Sequence, residues 1–149
     1  MSRPELLLDD GACRVARRGN VFVQYRWGKL TNAALEVMAT AYEEMAAASN
    51  APLFGVVVLA PDADVPSAAV RVRQREVLAR IARDGRMQIA LVIEGTGVFS
   101  HLGRSIVTSM TPDALCYHDV SEAAAALARH PGAPSAEAIA AAVALATAR

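Results

Sequence analysis

Acidic or imidazole side chains follow three short β-prone runs of this chain: Asp62 and Asp64 after Leu53–Leu59, Glu94 after Met87–Ile93, and Asp119 beside His118 at the end of Ala114–His118. If these runs are parallel strands, their carboxyl ends meet in one crevice, the place where open α/β sheets hold ligands. A carboxylate and an imidazole in one crevice suit acid–base chemistry. Between them, Val92-Ile93-Glu94-Gly95-Thr96-Gly97 leads from the apolar run Ile89–Ile93 into a helix-like segment, Val98 to Met110. Free N–H groups at such a turn suit an anion or a partner's acidic group. Each residue also has a plainer role: Asp119 as a helix cap, Glu94 as a solvated strand end, His118 as a half-buried histidine. There is no nucleophile elbow, no second histidine at metal-ligand spacing and no Gly-x-Gly-x-x-Gly. The expectation is therefore a chain that is not an enzyme and holds no metal or cofactor, with Asp64, Glu94, Gly95, Thr96, Gly97 and His118 as candidates for binding an anion or small ligand.

The elements that must position these residues alternate. Cys13–Arg17 and Val21–Arg26 flank a hairpin turn at Arg18-Gly19-Asn20, and the chain breaks at Trp27-Gly28. From Asn32 to Ser49, Leu35, Met38, Ala39, Tyr42, Met45 and Ala46 recur at helical spacing, which predicts an amphipathic helix over a sheet. Leu53–Leu59 and Met87–Ile93 read as buried strands. Between them Ser67 caps a helix that runs to about Asp84 and ends at Gly85. After the glycine turn and its helix come the short strand Ala114–His118, a helix to about His130 capped by Asp119 or Ser121, and a last alanine-rich helix opened by Ser135. The order β-β-α-β-α-β-α-β-α-α predicts an α/β fold: a mixed sheet of about five strands with an N-terminal hairpin and right-handed crossovers, and four to five helices.

Composition limits the classes. With 149 residues, one domain spanning 1–149 is expected, its core at about 12–130 and its alanine-rich helix at 135–149. Fifteen basic residues balance fifteen acidic ones, so no global field draws the chain to nucleic acid or an anionic membrane. Fourteen of the fifteen are arginine and 32 residues are alanine, a bias that a GC-rich genome explains better than function does. The amino terminus lacks a signal-peptide core, and the longest apolar stretch, 138–148, falls far short of the ~20 residues of a transmembrane helix, so a cytoplasmic protein is expected. Cys13 and Cys116 read as separate small buried residues.

The hairpin leading through Trp27-Gly28-Lys29-Leu30-Thr31 into a helix, then a buried strand ending at a serine-capped helix, resembles the STAS domain of anti-sigma-factor antagonists and its SpoIIAA-like relatives. The resemblance spans roughly Cys13 to Arg129 and rests on element order and the Gly-x-Leu-Thr start. It implies a regulatory, protein-binding module in which a serine or threonine at the start of the helix after the central strand is a phosphorylation switch, within an Asp-Ser-Ser-Gly-like motif. The matching stretch here is Ala63-Asp64-Val65-Pro66-Ser67-Ala68, of which Ser67 and Asp64 correspond. A phosphate on Ser67 would lie at a helix N-terminus within reach of Arg71.

The helix after Ser67 carries a second candidate site. From Arg71 to Arg86 there are six arginines against Glu76 and Asp84. A helical wheel gathers Val70, Val77, Leu78 and Ile81 as the core face, with Gln74 beside them as an amide satisfied by backbone. The wheel places Val72, Arg73, Glu76, Arg80 and Arg83 outward, as a surface for another protein or a second copy of the chain. Trp27 reads as a half-buried anchor. The reading is a regulatory or protein-interaction module of a bacterial signalling pathway. Its alternative is a small-molecule, nucleotide or lipid-binding domain using the crevice around Gly95 and Gly97.

Overall fold

Residues 5–83, 85–95 and 115–148 are described in a computed structural model of the chain. The predicted hairpin is present, with β2 (Cys13–Arg18) and β3 (Val21–Arg26) paired antiparallel around Gly19, whose φ of +58° suits the tight turn. A strand not anticipated from the sequence, β1 (Glu5–Asp9), pairs antiparallel with β2. Helix α1 (Asn32–Ala48), strand β4 (Leu53–Leu59), helix α2 (Ala68–Ala82) and strand β5 (Met87–Ile93) follow as expected, within one or two residues. Beyond them come the short strand β6 (Leu115–Tyr117) and helices α3 (Val120–Ala128) and α4 (Ala136–Thr147). The predicted helix Val98–Met110 lies outside the described residues. Among the described residues, no helix is long and apolar enough to cross a membrane.

The six strands form one sheet in the order β1-β2-β3-β4-β5-β6, one more strand than the five expected. Pairing is antiparallel from β1 to β3 and parallel from β3 to β6. The strands alternate their side chains between two buried faces. On the first face, Cys13, Val15, Phe22 and Leu53 meet Leu35, Met38 and Tyr42 of α1 and Val77 and Ile81 of α2. On the second, Val23, Tyr25, Phe54, Val56 and Val92 meet Ala124 and Leu127 of α3 and Ile139, Val143 and Ala146 of α4. Crossovers of one hand that step one way along a sheet put their helices on one side, which is where α1 and α2 lie. The other side is covered by helices that come later in the chain. There alanines serve as close-packing residues: Ala123, Ala124, Ala142 and Ala146 are all buried.

Arginines fasten the periphery. Arg86 donates to the carbonyls of Ala46 (3.1 Å) and Ser49 (2.5 Å), at the end of α1. Arg14 pairs with Asp9, donates to the carbonyls of Ala146 and Ala148 at the end of α4, and lies 5.5 Å over the Trp27 ring. These are charge-assisted contacts to helix carbonyls that have no partner within the helix. Trp27 is half-buried and its ring centroid lies 5.4 Å from that of Tyr25, as an anchor requires.

Candidate functional site

The parallel register puts Arg26, Leu59 and Ile93 side by side as the last residues of β3, β4 and β5. Two further bonds extend the ladder beyond them, Ala60 N–H to the Arg26 carbonyl and Glu94 N–H to the Leu59 carbonyl, both 2.9 Å. The segments carrying Asp62 and Asp64, Glu94 and Gly95, and His118 and Asp119 therefore all leave the sheet at one edge, as the sequence predicts. Asp64 and His118 are exposed, His118 more so than expected, because it already lies beyond the end of β6. Glu94 is half-buried. Gly95 has φ of +96°, a conformation that side chains disfavour, so this turn does require glycine. Thr96 and Gly97 lie outside the described residues. Asp119 takes its plainer role: its carboxylate caps α3 by accepting from Glu122 N–H at 2.8 Å. Among the described residues, no three histidine, cysteine, aspartate or glutamate side chains are grouped to hold a metal ion.

Beneath this edge lies a residue that the sequence did not single out. Arg26 is 3% exposed, and its Nη1 donates to the carbonyls of Gly28 (2.9 Å) and Asp64 (2.5 Å). The Asp64 N–H in turn donates to the Gly28 carbonyl at 3.3 Å. Arg26 thus ties the loop that carries Asp64 to the end of β3, just before the Ser67 cap. Two residues earlier on the same face, Gln24 is 2% exposed, and its Nε2 lies 3.7 Å from Cys13 Sγ. Their spacing of two within Val21-Phe22-Val23-Gln24-Tyr25-Arg26 is the signal that would have found them, since alternate strand residues share a face. Burial pulls the Arg26 guanidinium below its ordinary range, against the opposing influence of Cys13 and Asp64.

The Cys13 thiol is pushed up from 9.0 to about 11, first by burial and then by the Asp10 and Asp9 charges, against the lowering effect of its Gln24 hydrogen bond and of Arg26. The folded chain therefore resists ionising a thiol that the unfolded chain releases. The stability this contributes is whole below pH 9 and is lost progressively as pH rises from about 9 to about 11. The loss should reach roughly 2–3 kcal/mol. The measurement is urea unfolding of wild type and Cys13→Ala at pH 8 and pH 11. The difference between the two proteins should shrink or invert at the higher pH, and a difference independent of pH would rule the effect out.

Ser67 caps α2 as predicted, its Oγ accepting from Val70 N–H at 3.3 Å, and the residue is exposed. Arg71 Nη1 donates to the Pro66 carbonyl at 3.2 Å, which holds the guanidinium at the same end of the helix. On the outward surface of α2, Val72, Glu76, Arg80 and Arg83 are exposed as the wheel places them, and Arg73 is half-buried. Arg73 pairs with Glu36 and, at 3.2 Å, with Glu76, while Arg80 pairs with Glu43. Both arginines thus lie along α1 and bridge the two helices at matching intervals of seven residues, because neighbouring helices on one sheet face bring their flanks together. The outward strip that remains is Ala69, Val72, Arg75, Glu76, Ala79 and Arg83, with Val72 55% exposed. Val77 and Ile81 are buried as expected, but the Gln74 carbonyl is not satisfied by backbone: its Oε1 is buried and has no hydrogen-bond partner among the described residues.

Comparison of the chain with protein-family models, with curated proteins and with solved structures returned no match.

Proposed function

We propose that the chain is a noncatalytic, cytoplasmic regulatory module of STAS-like type, which binds another protein through the start and outer strip of α2. The observation that carries this reading is the Ser67 hydroxyl, exposed at the helix N-terminus with the Arg71 guanidinium held beside it at Pro66. A phosphate on that hydroxyl would meet the positive end of the helix dipole and a guanidinium suited to it. Next to it, Val72 and its alanine neighbours offer an apolar strip edged by Arg75 and Arg83, the mixture that docks protein. The hairpin, the Gly28-Lys29-Leu30-Thr31 entry to α1 and the serine-capped helix after β4 support the resemblance by their order.

Ser67→Asp should keep the fold, since aspartate caps as well as serine, and should change partner capture from native lysate by at least ten-fold. Phosphoserine at position 67 is expected in protein isolated from its own cells. Unchanged capture together with no phosphate by mass spectrometry would remove the switch. A second reading, binding of a small molecule, nucleotide or lipid at the carboxyl edge, is favoured by the positive φ of Gly95 at the end of β5. A native mass spectrum of the purified chain that retains a small molecule would favour this second reading.

A further inference from the structure

Between the sheet and α2 lies a small chamber of about 30 Å³, lined by Gln24, Arg26, Gln74, Pro66 and the apolar side chains of Met38, Leu78, Ile89 and Leu91 among others. Its polar wall is not self-sufficient. Arg26 spends Nη1 on the Gly28 and Asp64 carbonyls, and no carboxylate forms an ion pair with it among the described residues. Cys13, the nearest acid on its own face, is a thiol. Gln24 has Cys13 Sγ as its side-chain partner, and Gln74 Oε1 is buried with none among the described residues. A guanidinium carries five N–H donors, and a buried positive charge answered by carbonyl dipoles and a more distant carboxylate, Asp64, without an ion pair is costly.

We propose that this chamber is a binding site for a small monovalent anion of about the size of chloride. A cavity needs ~10–15 Å³ to hold a water, so about 30 Å³ admits two waters or one halide-sized ion, and no larger oxyanion. Water would satisfy hydrogen bonds alone, whereas an anion would also add to the partial compensation that Asp64 gives the Arg26 charge. As placed, Gln74 Oε1 is an acceptor; turning the amide by 180°, which exchanges Oε1 for the Nε2 donor, would let the same side chain close the site on the helix side. The apolar wall of Met38, Leu78, Ile89 and Leu91 lowers the local dielectric and strengthens the attraction. The anion would sit between β3 and α2 and brace the helix whose start carries Ser67, and the site stands independently of any phosphorylation there.

The test is thermal unfolding of the full chain in sodium gluconate, an anion too large for the chamber, with chloride replacing gluconate at constant ionic strength. The unfolding midpoint should rise saturably by about 2–5 °C. In Gln74→Leu, which removes the helix-side donor, the apparent chloride affinity should fall at least ten-fold with the circular dichroism spectrum unchanged. Arg26→Met should abolish the chloride dependence altogether. If Arg26→Met does not fold, Gln74→Leu decides alone. A wild-type midpoint indifferent to the exchange would show that the chamber holds only water and would overturn the proposal. So would a Gln74→Leu protein with the wild-type chloride dependence.

Discussion

Gly28→Val lowers folding stability by roughly 2–4 kcal/mol, the expected sum of an overpacked contact and weakened backbone hydrogen bonds. A Cβ at Gly28 would lie 2.9 Å from the Ala12 Cβ and 3.3 Å from its Cα, atoms that cannot swing aside as a flexible side chain would. The surroundings are no more forgiving. Trp27 N–H and Gly28 N–H both donate to the Ala12 carbonyl, at 2.9 and 3.0 Å, while the Gly28 carbonyl accepts from Arg26 Nη1 and Asp64 N–H. One residue therefore joins the start of β2, the end of β3 and the loop leading to Ser67. Displacing it strains all three. Urea unfolding should show a lower midpoint with an unchanged slope, and Gly28→Ala, with no branches, should cost less than valine. A valine variant with the wild-type midpoint would mean that the start of β2 moves freely, and the hub would not exist.

Phe54→Ala should cost about 3–5 kcal/mol, the range for deleting a fully buried aromatic ring. Phe54 is 0% exposed on β4 and faces the side covered by α3 and α4, with its ring centroid 6.2 Å from that of His130. The neighbours on that face, Val23, Val56 and Ala90, are too short to refill the space without moving the helices. Phe54→Leu keeps most of the volume and should cost under about 1.5 kcal/mol. Chemical denaturation of the pair checks this. Equal losses for alanine and leucine would mean that shape rather than volume sets the penalty at this position.

The parts of the fold that could be read in the sequence are those in which periodicity speaks without interruption. Leu53–Leu59 and Met87–Ile93 are apolar on both faces and became the central strands. The caps Ser67, Asp119 and Ser135 sit where side-chain oxygens meet helix N–H groups. β1 was hidden because Leu6, Leu7 and Leu8 are consecutive rather than alternating. The structure resolves this with a register shift between Leu6 and Leu8 that leaves Leu6 58% exposed while Leu7 and Leu8 pack on the first face. The wheel of α2 was right about Val77 and Ile81 but silent about which helix lies beside it, so Arg73 and Arg80 read as free surface rather than partners of Glu36 and Glu43. Of the candidate site, the strand-edge placement of Asp64, Glu94 and His118 follows from topology. The guanidinium beneath them does not, because an arginine at a strand end ordinarily reaches solvent.

The two sides of the sheet are closed by different parts of the chain, and that has a consequence for the nascent protein. α1 and α2 are the crossovers between β3 and β5, so the first side is roofed as those strands are laid down. Among the described residues, the helices that cover the second side, with Val23, Phe54 and Val56, are those of residues 120–147, the last of them to leave the ribosome. A partly synthesised chain that lacks these helices therefore presents apolar sheet to its surroundings, the kind of surface that chaperones hold and that aggregates when they do not.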